Sequence, residues 1–214
     1  MDQVREKPWL AHYDPGVPPE IQVPDIPLWR FLEESARRFP QNVALEFLGK
    51  TLSYQELWGL ARRFAQGLKD LGVRPGDRVA IMLPNSPQFV IAFYGTLLAG
   101  GVGVNVNPLY TPRELRHQLA DAGAETLVIL DHLLPRYLEV EKEVPVKRVV
   151  VTGIKDFLPF PKNLLYPLKA KRDGLPLGFP KREGFHAFAE LLKRPPAEPH
   201  VPDPEDLALL QYTG

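Results

Sequence analysis

The chain has 214 residues, with 26 basic and 26 acidic side chains, 24 prolines and no cysteine. The balanced charge excludes a strong overall field for nucleic acid, and the lack of cysteine excludes disulfides, thiolate metal sites and cysteine nucleophiles. No apolar run is long enough to cross a bilayer, and the first ten residues lack the charged-then-apolar plan of a signal peptide. We therefore expect a cytoplasmic globular protein with no nucleic-acid partner.

Residues 1–26 are expected to form an extended N-terminal segment, followed by an α/β domain over residues 27–154. The domain opens with a helix, because apolar residues recur at helical spacing in "PLWRFLEESARRFP" until Pro40 stops the run. The stretch "VALEFLGKTLSY" then predicts two short strands joined by a hairpin turn at Gly49 and Lys50.

The next two helices carry start signals in the sequence. Ser53 and Glu56 predict a capping box, in which the serine side chain binds free N–H groups and the glutamate reaches back. That helix is expected to end at Gly72. After the apolar strand "RVAIML", Ser86 is expected to cap a further helix that has Pro87 at its first position. This further helix is apolar nearly all round, which predicts that it is buried.

A second capping box, "TPRE" at 111–114, begins a helix that stops at Gly123. Further strands are expected at "VGVNVNP", "TLVILD" and "VKRVVVTG", with a short helix around residues 133–142. Strands therefore alternate with helix-length spacers over residues 75–153. That alternation predicts right-handed crossovers and an α/β fold with a largely parallel, doubly wound sheet flanked by helices.

Residues 155–184 form a basic-aromatic insertion that interrupts this alternation. They contain seven lysines and arginines against three acids, in a chain that is neutral as a whole. Basic heads beside aromatic and aliphatic side chains suit the headgroup boundary of a membrane. Three roles remain open: a solvated insertion, an interfacial contact with a membrane or lipid, and a surface for a partner.

The last part of the chain leads to a strand with a polar end. A short helix at "FHAFAELL" and a proline-stiffened connector are expected over residues 185–206. Residues 207–214, "LALLQYTG", then predict a buried strand that runs into the start of a turn. Glycine frees backbone N–H groups and a hydroxyl reaches oxygens, so Thr213 and Gly214 match the first residues of a phosphate cradle.

Few motifs for other chemistry occur. The five histidines are dispersed without metal-ligand spacing, and there is no G-x-S-x-G elbow. The glycines of "GGVGVN" follow a helix and enter a strand, the reverse of a dinucleotide fingerprint, so close helix–strand packing explains them better. Neither a metal site nor a nicotinamide-dependent enzyme is expected.

Polar residues cluster at the end of one predicted strand. Asn105, Asn107 and Tyr110 lie in "NVNPLYTPREL", and in open α/β sheets the ligand clefts lie beyond the carboxyl ends of the strands. These side chains are therefore candidates for a ligand cleft. The alternative is that turn chemistry and the helix cap account for them.

Several stretches in one order carry a family resemblance: "LSYQEL", "LGVRPGDRVAIMLPNSPQFVIAFYGTLLAGGVGVNVNPLYTPREL" and "LQYTG". Together they resemble the N-terminal part of adenylate-forming acyl-CoA synthetases. Within that superfamily the chain is most similar to the bacterial long-chain fatty-acid–CoA ligases. The narrower match lies in "PWLAHYDPGVPPEI", "VNVNPLYTPRELRHQL" and the basic-aromatic insertion before "EDLALLQYTG".

The resemblance implies a two-step reaction with ATP, Mg²⁺ and coenzyme A. The carboxylate of a long-chain fatty acid attacks the α-phosphate of ATP to give an acyl-adenylate and pyrophosphate, and the coenzyme A thiol then displaces AMP. Tyr212, Thr213 and Gly214 match the opening of the family's phosphate-binding loop. No catalytic and no metal-binding residue is carried over, because the family places them later.

The resemblance therefore also implies an N-terminal fragment that is inactive alone. Surface meant to face the rest of such an enzyme would be exposed and apolar, which predicts self-association. Besides the cytoplasm, we expect a peripheral location at the inner face of the membrane, with residues 155–184 making the contact. The alternative function is a non-catalytic α/β module that binds lipid, membrane or a partner.

Overall fold

The computed structural model describes residues 7–212. Its helices are α1 (Leu28–Arg38), α2 (Tyr54–Asp70), α3 (Pro87–Ala99), α4 (Pro112–Ala122), α5 (Leu134–Val140), α6 (Lys162–Arg172) and α7 (Phe188–Leu191). Its strands are β1 (Val43–Phe47), β2 (Lys50–Ser53), β3 (Arg78–Met82), β4 (Val102–Asn105), β5 (Thr126–Leu130), β6 (Arg148–Thr152), β7 (Phe185–Ala187) and β8 (Leu209–Gln211). The helices and strands expected from the first helix to "VKRVVVTG" are confirmed.

Six strands form one sheet in the order β7-β6-β5-β3-β4-β8, and every neighbouring pair is parallel. The chain moves from β3 to β4 in one direction and then returns across the sheet to β5 and β6. Right-handed crossovers therefore place α3 on one face and α4 and α5 on the other. The predicted parallel, doubly wound α/β sheet is confirmed, and β1 and β2 form the predicted antiparallel hairpin beside it.

The core follows from the two covered faces of the sheet. Val79 to Met82 of β3 and Leu127 to Ile129 of β5 have no exposed surface, as expected for parallel strands between helix layers. On one face α2 packs along α3, where a Cβ added at Gly95 would lie 2.7 Å from Cδ1 of Phe64. Glycine is needed there because the two helix backbones approach each other closely.

The predicted helix caps are present. Ser53 Oγ accepts from the backbone N–H of Glu56, and Oε2 of Glu56 accepts from the backbone N–H of Ser53 at 2.8 Å. Thr111 and Glu114 make the same reciprocal pair at the start of α4. Because these caps satisfy orphan backbone groups within a few residues of sequence, they could be read directly from it.

The end of the chain differs from the sequence-based expectation in three ways. "FHAFAELL" is a strand, β7, followed by the four-residue α7, because the open edge of β6 offers backbone partners to Phe185 and Ala187. The basic-aromatic insertion contains a helix, α6, that was not expected. The strand in "LALLQYTG" is half-buried rather than buried, because β8 lies at the edge of the sheet.

The proline-rich connector crosses the α2–α3 layer and brings the chain from one edge of the sheet to the other. Nε of Arg62 donates to the carbonyl oxygen of Ala197 at 2.8 Å, and the backbone N–H of His200 donates to the carbonyl oxygen of Leu98 at 2.9 Å. Trp29 Nε1 donates to the carbonyl oxygen of His200 at 3.0 Å. These bonds fix the path that delivers β8 to the side of β4.

Candidate functional site

The carboxyl ends of β4 and β8 place two polar side chains side by side. Asn105 pairs with Gln211 in the parallel register, and its Nδ2 donates to Oε1 of Gln211 at 2.9 Å. From α4, Nε2 of Gln118 donates to the carbonyl oxygen of Asn105 at 2.7 Å. The last residue of β8 is thus bonded to β4, and α4 supports it through Asn105.

The residue after β8 is anchored to the same helix. The Tyr212 hydroxyl donates to Oδ2 of Asp121 at 2.5 Å. This hydrogen bond raises the pKa of Tyr212 to about 12, because ionising the phenol would remove the donated proton and place a second negative charge beside the carboxylate. Asp121 lies one turn after Gln118, so α4 supplies both anchors.

A cleft of about 770 Å³ opens beside these anchors. Its lining includes Arg113, Arg116 and His117, and the Arg116 guanidinium forms an ion pair with Glu143. Glu114 also lines the cleft and carries the opposite charge. The hydrogen bond from the Thr111 backbone N–H lowers the pKa of Glu114, so the carboxylate stays ionised as part of the helix cap. The remaining lining residues are Tyr110, Thr111, Gln118 and Tyr212. The cleft therefore combines charged groups of both signs with hydroxyl and amide groups that can hydrogen-bond a polar ligand.

Two buried oxygens near this cleft have no donor among residues 7–212. They are Oδ1 of Asn105 and Oε1 of Gln118, whose amide nitrogens are both engaged as described above. A buried acceptor without a donor costs about 1–3 kcal/mol.

A second crevice, between the carboxyl ends of β3 and β5, is closed. Helices leave these two neighbouring strands toward opposite faces, which is where doubly wound sheets commonly bind ligands. Here Asp131, only 5% exposed, accepts from the backbone N–H groups of His132 at 2.8 Å and Gly178 at 3.3 Å. Gln88, fully buried, donates to the carbonyl oxygen of Gly153 at 3.0 Å. Buried polar side chains thus occupy the crevice between β3 and β5.

The sequence-based site residues have different outcomes. Asn105 lies at the end of β4 and Tyr110 lines the cleft, but Oδ1 of Asn107 accepts from the backbone N–H of Leu109 at 2.9 Å, which is turn chemistry. Tyr212 lies at the edge of the cleft. Thr213 and Gly214 lie outside the described residues.

The sequence analysis missed Gln118 and Asp121. For Gln118 the signal is weak but readable, because it lies on α4 among the buried residues Leu115, Leu119 and Ala122, whereas Asp121 is exposed. A polar residue at a buried helix position needs a hydrogen-bond partner. For Gln118 that partner is the carbonyl oxygen of Asn105 at the end of β4. The partner of Asp121 is Tyr212, which lies 91 residues later in the chain.

Two further features concern residues 7–212 only. No group of three or more histidine, aspartate or glutamate side chains in this range is arranged to hold a metal ion. Within the same range no helix combines the length and apolarity needed to cross a membrane.

Comparison with known proteins decides the family. The model of the AMP-binding enzyme family matches residues 32–214. The chain belongs to this family. The predicted resemblance to adenylate-forming enzymes is therefore confirmed, and the residues that line the cleft beside β8 lie within the matched range.

Relatives within the AMP-binding family support the narrower prediction. The long-chain-fatty-acid–CoA ligases of Bacillus subtilis (strain 168) and Escherichia coli O157:H7 are 42% and 37% identical over 98% of this chain. The chain spans 38% of the length of each of these relatives.

Solved structures agree with the family fold. A long-chain-fatty-acid–CoA ligase from Archaeoglobus fulgidus superposes with a TM-score of 0.72 and 25% identity, over 92% of this chain and 36% of that one. MbtA from Mycobacterium smegmatis gives a TM-score of 0.70 and 30% identity, over 88% of this chain and 31% of that one. The fold of this chain thus coincides with these two solved structures over most of its length.

Proposed function

We propose that the chain forms the N-terminal part of a long-chain fatty-acid–CoA ligase. The enzyme would convert a long-chain fatty acid, ATP and coenzyme A into acyl-CoA, AMP and pyrophosphate through an acyl-adenylate. The observation that carries this proposal is the delivery of Tyr212 to the carboxyl edge of a parallel sheet, beside a cleft whose lining includes Arg113 and Arg116. The 42% identity to the Bacillus subtilis ligase supports the choice of fatty acid as substrate.

In this proposal the described residues position a phosphate-binding loop. Gln211 is held by Asn105, and Tyr212 is held by Asp121, so the backbone that follows starts from a fixed point. The Thr213 hydroxyl and the Gly214 backbone N–H would then bind phosphate oxygens of ATP. Mg²⁺ would neutralise the phosphates when bound, and no residue of this chain is assigned to it. The contribution of the chain is positioning and charge stabilisation.

Two interactions belong to the same proposal. Residues 155–184 would make a peripheral contact with a membrane, from which long-chain fatty acids partition. The 214-residue chain would also self-associate, because several large apolar side chains are exposed, among them Leu109 at 80% and Leu207 at 66%. Acting alone, the chain is expected to release no AMP from ATP, palmitate and coenzyme A.

The proposal is tested by a chimera in which residues 1–214 replace the matching segment of the Bacillus subtilis ligase. With palmitate and coenzyme A, the chimera should release AMP and form palmitoyl-CoA. The Thr213→Val variant should lose roughly 10- to 100-fold in kcat/KM for ATP, the effect of one hydrogen bond to a charged group. Thr51→Val, on an exposed position of β2, is the matched control and should keep full activity. A folded chimera that releases no AMP with any fatty acid would contradict the proposal.

A further inference from the structure

The solvent-facing side of α6 is apolar, which is the reverse of an ordinary surface helix. Leu164 and Leu168, one turn apart, are 64% and 69% exposed, and the neighbouring Leu165 is 57% exposed. The opposite side of the helix carries Ala170, which is fully buried against the protein. Amphipathic surface helices normally direct their leucines toward the core, so the packing of α6 leaves its most hydrophobic side chains in contact with water.

Cations border this apolar stripe. At 100° per residue, Lys171 lies on one side of the stripe, and Lys169 lies on the other side. Neither ammonium group has a carboxylate within ion-pair distance among residues 7–212. The helix carries no acidic residue between Lys162 and Arg172. The stripe is therefore framed by positive charge that the described part of the protein does not neutralise.

The apolar surface extends beyond the helix itself. Phe160, just before α6, is 78% exposed. Beside Leu165 the surface continues into an apolar pocket of about 280 Å³ that is walled by Leu48 of the hairpin turn and by Ile154 and Leu158. Lys162 closes one side of this pocket, where its Nζ donates to the carbonyl oxygen of Leu48 at 2.8 Å.

We propose that the outward face of α6, defined as Phe160, Leu164, Leu165, Leu168, Lys169 and Lys171, docks on an anionic lipid bilayer. Leucines and a phenylalanine would enter the headgroup boundary, while the lysine ammonium groups reach the lipid phosphates. This inference rests on the membrane contact of the proposed function. It assigns that contact to one face of α6 and to lipids with negatively charged headgroups. A bilayer fits better than a protein partner, because the cores of protein interfaces are depleted of lysine, whereas an apolar stripe framed by lysines is typical of interfacial helices.

The experiment measures sedimentation of the 214-residue chain with vesicles of phosphatidylcholine, with and without phosphatidylglycerol. Binding is expected only to the anionic vesicles, and it should weaken as salt is raised. Lys169→Gln with Lys171→Gln should weaken binding roughly 25-fold, since each basic residue near an anionic surface contributes roughly a factor of five. Lys142→Gln with Lys193→Gln removes the same charge from exposed positions elsewhere and should leave binding within about twofold.

The apolar part is tested separately by Leu164→Ser with Leu168→Ser in α6, compared with Leu109→Ser at an exposed position in the loop between β4 and α4. The first variant should lose at least about tenfold in vesicle binding, and the second should bind like the parent chain. All these positions are exposed, so circular dichroism and the urea midpoint should not change.

Three results would overturn the proposal. The first is no binding to anionic vesicles, and the second is equal binding by the α6 variants and their controls. The third is loss of self-association in the leucine variant without any loss of vesicle binding, because a second copy of the chain would then be the occupant of this face. The vesicle assay contains neither ATP nor coenzyme A, so a lack of vesicle binding would not contradict the proposed ligase function. Likewise, an inactive chimera would not contradict the membrane proposal.

Discussion

The close approach of α2 and α3 at Gly95 gives a stability prediction with a defined size. A methyl group at this position would lie 2.7 Å from Cδ1 of Phe64 and 3.0 Å from the carbonyl oxygen of Ala61. Carbon atoms in ordinary contact are about 3.5–4.0 Å apart. The Phe64 ring could turn aside, but the Ala61 oxygen belongs to the backbone of α2, so the helices themselves must separate.

Gly95→Ala should therefore destabilise the fold. Overpacking of a well-packed core costs about 1–3 kcal/mol, and replacing a helical glycine by alanine returns about 0.5–1 kcal/mol. The expected net loss in the free energy of unfolding is about 1–2 kcal/mol. Gly59→Ala, in α2, is the matched control, because an added Cβ there has no atom within 4 Å. That variant should gain about 0.5–1 kcal/mol.

Urea unfolding followed by tryptophan fluorescence measures both effects. Trp29 and Trp58 are suitable reporters because their rings stack across α1 and α2 at 6.3 Å, in contact with the same core. With a slope of about 2 kcal/mol per molar urea, the Gly95→Ala midpoint should fall by about 0.5–1 M and the Gly59→Ala midpoint should rise slightly. A Gly95→Ala midpoint equal to or above that of the parent chain would refute the packing argument.

Three further predictions concern titration and assembly. The pKa of Tyr212 in the folded protein is raised to about 12 from 10.0, so the stabilising effect of its bond to Asp121 is complete below about pH 10 and is lost toward pH 12. Asp121→Ala should remove the highest phenol titration seen by ultraviolet absorbance. An unchanged titration curve would contradict this. Burial, with the nearby Arg148, lowers the pKa of His186 from 6.5, so stability should fall as pH drops below about 6.5, and His186→Gln should flatten that dependence in urea unfolding at several pH values. Light scattering should show that the average mass of the 214-residue chain grows with concentration, whereas a constant monomer mass over a wide range would rule out self-association.

The parts of the fold that the sequence predicts are those governed by local chemistry. Both capping boxes depend on residues three positions apart, and the sequence places them at the residues where the structure has them. The parallel sheet also followed from the sequence, because "RVAIML" and "TLVILD" are too continuously apolar for strands with one wet face. These patterns needed no knowledge of the tertiary partners.

The parts that were missed depend on distant partners. β7 becomes a strand because the edge of β6 is open to it, and β6 lies more than thirty residues earlier in the chain. The leucines of α6 gave no helix prediction, because Pro167 interrupts the run and the apolar residues face outward. At the candidate site, Asp121 could be recognised only once β8 had placed Tyr212 beside it.

The central claim is that this chain belongs to an enzyme that activates a fatty acid as its adenylate. Exchange of labelled pyrophosphate into ATP measures that step alone, without coenzyme A, in the chimera that carries residues 1–214 in the Bacillus subtilis ligase. The account predicts exchange that depends on palmitate and falls roughly 10- to 100-fold in Thr213→Val. Exchange that proceeds equally well without a fatty acid, or no exchange by a folded chimera, would contradict it.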